Sequence, residues 1–381
     1  MATFRFEEAR TEDYEALNHI WQVVYYNREP EEPLKNPPPN RKYYIGKTDG
    51  QPSCACQVYS YQVFRGEALV SCGGVAGVAT LPEFRKTGTA GQFMVGLLQE
   101  MRSQGHSIAA LYAFKESYYR RVGYAACGWR WLISAPQHRL AAFPLQLPVR
   151  QVQPADVELL NPAYEGFVAR RSGSAKRTKS DWENRLGIKP PLIYAVGDPV
   201  EAYCWGHMEG FWNELTLGEI AWSTRRGYES ILSVVAGLAS NQSKISWVEP
   251  PDSPYIPNLL DQGVSCSLHR PTMFRVLNVA QALKSLKPEG SGEFSLRVID
   301  AELPENCGPW KVRWADGKVE VSSTDAIDFE IDIRAFSQAF MGSPSLEQLN
   351  DNELISVQNP QGVEEAKRLL TPLAVVCMEF F

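Results

Sequence analysis

Apolar and polar positions along the chain divide it into three runs of secondary structure. In the first run, Phe4 to Glu8 suits a short strand, and a helix capped at Thr11 or Asp13 places Leu17, Ile20, Trp21 and Val24 on one face. Tyr43 to Val78 reads as three strands, with turns at Asp49-Gly50 and Arg65-Gly66. Small and β-branched residues continue this pattern to Leu81-Pro82 as a buried strand. Phe93, Met94, Leu97, Leu98 and Met101 then share one helical face, and Ile108 to Ala113 is again strand-like. After a proline-bearing span from Pro136 to Pro154 the order repeats. Strands are predicted over Pro191 to Val196, Ala202 to Met208 and Leu215 to Ala221, followed by a helix from Glu229 to Ser240. From Met273 a third run holds a helix at Asn278 to Leu286 and strands at Phe294 to Val298, Trp310 to Trp314, Val319 to Ser322 and Asp328 to Ile333, then helical pieces from Arg334 and Gly362.

The chemistry concentrates between the strand and the helix of the first run. Arg85 to Gly91 supplies Gly88, Thr89, Ala90 and Gly91, small enough to let main-chain N–H groups at a helix start close on an anion, with Arg85 and Lys86 adding charge. The spacing lacks the Gly-Lys-Ser/Thr ending of a P-loop and the Gly-x-Gly-x-x-Gly of a dinucleotide fold. Arg85-x-x-Gly88-x-Ala90 instead resembles the cofactor motif of the GCN5-related N-acetyltransferases (GNAT), whose loop cradles the pyrophosphate of acetyl-coenzyme A. A small-residue turn that packs a helix on a sheet is the alternative. A second stretch, Tyr118-Tyr119-Arg120-Arg121-Val122-Gly123-Tyr124, resembles the Phe-Tyr-x-x-x-Gly-Phe/Tyr of the same family, in which the second residue, here Tyr119, protonates the departing thiolate. Read from the residues alone, Tyr118 and Tyr119 are equally suited to packing.

Length and composition add bounds. A chain of 381 residues suggests two or three domains, and its 44% hydrophobic and 22% charged residues are those of a globular protein. No apolar run is long enough for a membrane span and the N-terminus lacks a signal-peptide core, so a cytoplasmic location is expected. The eight cysteines are scattered without zinc-site spacing and read as structural thiols, with no metal expected. Cys72 is a conceivable nucleophile, but no His lies near it in sequence. A net charge of −6 argues against nucleic acid and leaves room for a cationic acceptor. The loop from Glu29 to Asn40 carries Glu29, Glu31 and Glu32 among five prolines and reads either as a solvated connector or as a lid beside the acceptor. The basic run Arg170, Arg171, Lys176, Arg177 and Lys179 reads as a solvated face.

The second run echoes the first, but its turn, Arg225-Arg226-Gly227-Tyr228, keeps one glycine and lacks the second small position. The third resembles a sterol carrier protein. The expected fold is therefore mixed α/β (α+β): an acetyl-CoA-binding domain over 1–145, a degenerate second acetyltransferase fold over 146–271, and a sterol-carrier-like antiparallel sheet with helices over 272–381. This order resembles the enhanced intracellular survival (Eis) family of N-acetyltransferases. The resemblance implies a hexameric enzyme that acetylates amines such as aminoglycosides, polyamines or lysine side chains, with no nucleic-acid or membrane partner. It implies cofactor contacts at Val78, Ala79 and Thr80, at Arg85, Lys86, Thr87, Gly88, Thr89, Ala90 and Gly91, and at Phe114 and Lys115. Tyr119 falls on the general acid and the terminal carboxylate of Phe381 on the base. Two departures stand out: Phe380 intervenes between Glu379 and Phe381 where members carry an acid directly before the terminal Phe, and Phe114 replaces a Ser. A lipid-binding protein that works through its last domain is the rival reading.

Overall fold

The computed structural model describes residues 3–26, 34, 37–186, 191–208, 213–253, 263–269 and 272–379. Most of the proline-rich loop, and with it the expected lid, lies outside the described residues, as do Phe380 and Phe381. Three sheets organise the chain. In the first, β1 (Phe4–Glu8), β2 (Arg41–Thr48), β3 (Gln51–Arg65) and β4 (Ala68–Thr80) form an antiparallel meander, with helix α1 (Tyr14–Trp21) after β1. Helix α2 (Thr89–Ser103) then crosses over to β5 (Ile108–Leu111), which lies parallel to β4. The crossover is held by Phe93, Met94, Leu97, Leu98 and Met101, all fully buried. Removing such side chains from water stabilises by about 1.5–3 kcal/mol each. After β5 come helix α3 (Glu116–Arg120), β6 (Ala125–Cys127) and β7 (Arg130–Ala135).

In the second sheet, β8 (Val149–Gln151), β10 (Leu192–Val196), β11 (Ala202–Met208) and β12 (Glu214–Trp222) pair in that order, and β12 runs parallel to β13 (Lys244–Glu249) after the helix Arg225–Leu238. The parallel pair with its crossover helix reproduces the arrangement of β4, α2 and β5. That helix starts four residues before the expected Glu229, because the Thr224 side chain accepts the Gly227 N–H at 3.0 Å and caps it. β9 (Ser172–Ala175) leaves this domain to pair with β3.

The two sheets also exchange strands. β7 leaves the first unit and inserts in the second sheet between β13 and β14 (Ser265–His269), whereas β15 (Thr272–Val276) returns and inserts between β5 and β6. Cuts at 145 and 271 therefore separate segments of chain, while each sheet is completed across them.

The third sheet, in the order β18 (Lys318–Ser323), β17 (Trp310–Ala315), β16 (Gly292–Ile299), β19 (Phe329–Asp332) and β20 (Ile355–Val357), is antiparallel except that β16 and β19 run parallel. Its inner face is filled by Phe294 and Phe329 against Phe336 and Phe340 of the helix Ile333–Met341, each no more than 2% exposed. No helix among the described residues is long and apolar enough to cross a membrane.

Candidate active site

The loop before α2 is shaped by two residues in the left-handed region, Lys86 at φ 63° and Gly88 at φ 90°. Thr87 Oγ1 donates to Phe84 O at 2.7 Å and meets Thr89 Oγ1 at 2.8 Å, while Arg85 Nε donates to Thr80 O at 3.0 Å. The Gly91 and Gln92 N–H groups already close on Gly88 O. The first turn beyond Gly88 thus keeps the orphan donors and dipole end that suit an anion. A Cβ built on Gly88 or Gly91 would meet nothing within 4 Å, so the concavity is open. In the second domain the same helix start is closed. A Cβ on Gly227 would meet Glu201 O at 2.9 Å, Thr224 Oγ1 donates to Glu201 at 2.6 Å, and Arg226 Nε donates to Glu201 at 2.8 Å.

Behind the open loop, β4 bulges. Ala55 pairs with Ala79 and Gln57 with Ala76, which leaves an extra residue at Gly77-Val78, and Gly77 takes φ 60°. Trp21 Nε1 donates to Gly77 O at 2.7 Å and Tyr25 OH to Val78 O at 2.5 Å, fixing the bulge from the α1 side. β4 pairs with β5 over Cys72 to Val75, where β5 ends at Leu111, so the bulged stretch of β4 has no ladder partner on that side among the described residues, a gap in the sheet. Ala79 turns its side chain into the α1 core and Thr80 Oγ1 lies 3.3 Å from Cys54 Sγ. Their main chain is what remains to face the gap.

Helix α3 lies at the end of β5. Tyr119 is 3% exposed and packed edge-on against Tyr118, Phe114 and Tyr124 at 4.9, 6.0 and 6.1 Å. Burial, with the neighbouring Tyr25 and Tyr118, pushes its phenol well above the ordinary value, so it stays protonated at neutral pH. Tyr118 OH donates to Ala90 O at 2.9 Å and ties α3 to the first turn of α2. Phe114, 65% exposed, and Lys115, also exposed, stand at the same edge. Cys72 is instead sealed in core, its thiol pushed far up by burial.

The other feature at this edge is the end of the chain. Residues 374–376 run beside β9, with Ser172 N–H on Ala374 O at 3.0 Å and Val376 N–H on Ser172 O at 2.8 Å. Tyr112, directly after β5, sets its hydroxyl 3.0 Å from Cys377 O and 2.8 Å from Glu379 O. Glu379 Oε1 accepts from Tyr164 OH at 2.9 Å and from Arg177 Nε at 3.1 Å. Arg177 also forks onto Glu219 at 2.8 and 2.9 Å, and Glu219 takes Tyr203 OH at 2.6 Å and Arg185 Nε at 2.8 Å. Burial alone would raise the Glu219 carboxyl, but Arg177 and Arg185 outweigh it and hold it below the usual value. The tail is fixed as far as Glu379, and Phe381 lies outside the described residues.

The basic run is therefore not a solvated face as a whole. Arg171 and Arg177 are 4% and 6% exposed, the first paired with Asp252 at 2.9 Å and the second with Glu219 and Glu379. Sequence reasoning missed this network and Tyr112. One signal was present: Glu379 is a lone acid in the apolar stretch Val375 to Phe381, and a buried carboxylate requires a buried cation.

Between β3 and the second domain lies a cavity of about 700 Å³, lined by Tyr59, Tyr61, Arg41, Asp181, Trp205 and Glu379 among others. Glu379 lines this cavity, and its main-chain oxygen accepts from the hydroxyl of Tyr112, directly after β5. Among the described residues there is no group of three or more His, Cys, Asp and Glu placed to hold a metal.

Comparison with known proteins agrees with this layout. The model of the acetyltransferase (GNAT) domain matches residues 5–127, and that of the sterol carrier protein domain matches residues 279–378. An uncharacterized N-acetyltransferase of Streptomyces griseus is 29% identical over 133 residues, 33% of this chain, and the match spans about a third, 32%, of that relative's length. The N-acetyltransferase Eis of Mycobacterium tuberculosis is 24% identical over 303 residues, 73% of this chain and 72% of its own. A GCN5-related N-acetyltransferase crystal structure from Anabaena variabilis covers 100% of both chains at a TM-score of 0.88 and 19% identity, and so shares the whole fold. With the loop before the crossover helix open in the first domain and closed in the second, the chain carries an acetyltransferase (GNAT) domain and a sterol carrier protein domain and is similar over most of its length to the N-acetyltransferase Eis.

Proposed function

We propose that the protein transfers the acetyl group of acetyl-coenzyme A to a primary amine by direct attack. The observation that carries this reading is the continuity of three features: an open anion cradle at the start of α2, a gap between β4 and β5, and Tyr119 at the edge of that gap. The cradle suits the pyrophosphate, received by the main chain of Lys86, Thr87, Gly88, Thr89, Ala90 and Gly91 with Arg85 adding charge. The main chain of Val78, Ala79 and Thr80 suits the pantetheine arm, and Phe114 and Lys115 its far side. A neutral amine forms the C–N bond at the thioester carbon while an N–H near Val78 polarises the carbonyl. The C–S bond breaks as the Tyr119 hydroxyl gives its proton to sulfur, and the amine proton passes to the carboxylate of Phe381, two residues beyond the fixed Glu379. An α-carboxylate has a pKa of about 3.5, so this step draws on burial or a relaying water. Holding both reactants at one gap supplies much of the acceleration. The third domain fills its own sheet face with Phe294, Phe329, Phe336 and Phe340, which favours transfer over lipid carriage as the working activity.

Thiol release from acetyl-coenzyme A across a panel of polyamines, aminoglycosides, amino acids and lysine peptides tests the reading. Tyr119→Phe is expected to lower kcat about 100-fold with acetyl-coenzyme A affinity unchanged. A protein extended by a few residues past Phe381 is expected to lose turnover with cofactor binding intact, and equal activity would remove Phe381 from the reaction. A hexamer and a cytoplasmic location go with this reading, and sedimentation and fractionation would test them.

A further inference from the structure

The charges in the cavity narrow the acceptor, on the basis of the acetyl-transfer reading above. Among the described residues four charged side chains line it: Arg41, Arg185, Asp181 and Glu379. Three are already committed. Arg185 Nε donates to Glu219 at 2.8 Å, Glu379 is held by Arg177 and Tyr164, and Asp181 Oδ2 accepts the Thr178 N–H at 2.8 Å and its hydroxyl at 2.7 Å. Arg41 has no carboxylate partner among the described residues. Its NH1 donates to Tyr59 OH at 3.1 Å, its guanidinium lies 5.4 Å from the Tyr59 ring centroid, and its Nε makes no hydrogen bond there.

A polycation entering this space would meet Glu379 already neutralised by Arg177, whereas Asp181, held among the described residues only by the uncharged donors of Thr178, and the Arg41 guanidinium leave one charge of each sign, which suits a zwitterion better than a polycation. A carboxylate would instead receive a charge-assisted donor from the guanidinium. The walls add a second preference. Tyr59 and Tyr61, two residues apart on one face of β3, stand as a parallel pair with ring centroids 6.1 Å apart and planes at 7°, and with the indole of Trp205 they make the lining aromatic. A planar ring gains stacking there as well as area. The cavity volume falls in the usual range of small-molecule sites.

We propose that the acceptor is an amine that also carries a carboxylate and an aromatic ring, the carboxylate on Arg41 and the ring against Tyr59 and Tyr61. Arg41 is then a specificity-determining residue rather than a participant in bond making. The resemblance to Eis proteins implied cationic acceptors, whereas these residues select a zwitterion.

The test uses the full chain and three amines: tryptophan, tryptamine, which keeps ring and amine but lacks the carboxylate, and spermidine. The expected result is kcat/KM for tryptophan at least tenfold above both others. In Arg41→Met, KM for tryptophan rises about tenfold or more with kcat retained, and tryptamine is unaffected. Arg41→Lys, which keeps the charge but not the guanidinium, falls between. Tryptamine or spermidine used as well as tryptophan, or an equal effect of Arg41→Met on all three, overturns the proposal. Silence with all three also overturns it, and calorimetry of acetyl-coenzyme A binding then separates the cases. Cofactor binding without transfer leaves the transferase reading standing, and no binding removes both.

Discussion

Single residues show which parts of the site were legible. Tyr119 was visible because its neighbours in sequence, Tyr118, Gly123 and Tyr124, are also its neighbours in the fold, and a local motif preserves that information. Arg177 was not, because its partners stand 42 and 202 positions away, and nothing in a run of basic residues marks which one turns inward. Glu249 is a similar case, and it makes a prediction. Its Oε1 accepts from Trp247 Nε1 at 2.6 Å and Tyr228 OH at 3.1 Å, its Oε2 has no hydrogen-bond partner among the described residues, and burial pushes its carboxyl up to about 7. Its folded pKa lies above the ordinary value of 4.5, so the folded state holds the proton longer than the unfolded one. Stability on this account falls as pH rises from 4.5 to about 7 and is level above that, a loss of about 3 kcal/mol at 1.36 kcal/mol per unit. Glu249→Gln keeps the acceptor for Trp247 and Tyr228 and removes the ionisation. Denaturant unfolding is expected to show the variant more stable than the parent at pH 8 and nearly equal to it at pH 4.5. A gap that does not change with pH would mean that the carboxyl is not neutral in the fold.

At the scale of elements, the two crossover helices form a natural comparison. α2 and the helix Arg225–Leu238 occupy equivalent places beside parallel strand pairs, and the second begins four residues before the start read from the sequence. The sequence distinguished them by the missing second small residue, but the reason is contact: Gly88 and Gly91 face space, whereas Gly227 faces the main chain of Glu201. Gly91→Val should therefore leave unfolding unchanged and raise KM for acetyl-coenzyme A tenfold or more. Gly227→Ala should do the reverse, costing about 1–3 kcal/mol of stability through overpacking with KM unmoved. Thermal unfolding and steady-state kinetics on both variants check the pair, and equal KM effects would make the second helix start part of the cofactor site. The β4 bulge was not legible at all. It rests on a positive φ at Gly77 within a stretch that also holds Gly73 and Gly74, and on donors from Trp21 and Tyr25, which sequence distance hides.

Across the whole molecule, the segments were read in the right order but their exchange was not. Strand periodicity reports that a segment is buried, not which sheet buries it, and β7 and β15 look alike in that respect. The first domain is bound to the rest at further points. Arg275 of β15, fully buried, bonds Asp300 at 2.8 Å and Val122 O at 2.7 Å, close to α3. Arg65 at the end of β3 donates to Thr371 O at 2.7 Å. The tail passes under Tyr112. If that hydroxyl aligns the final residues for proton transfer, Tyr112→Phe should lower kcat about tenfold and shift the pH profile of kcat, with the unfolding midpoint and acetyl-coenzyme A affinity held. A loss of stability with an unshifted profile would reduce Tyr112 to packing.

The strand exchange also has a consequence in time. A ribosome adds about 5–20 residues each second, so β5 and β6 emerge on the order of ten seconds before the strand that must lie between them. Through that interval the newborn first sheet has two open edges facing one another, and the anion cradle is built on a platform not yet finished. Catalytic competence therefore arrives late in synthesis, after the first 276 of the 381 residues have left the tunnel, and a nascent protein stalled before Thr272 would be an unclosed sheet rather than a small active enzyme.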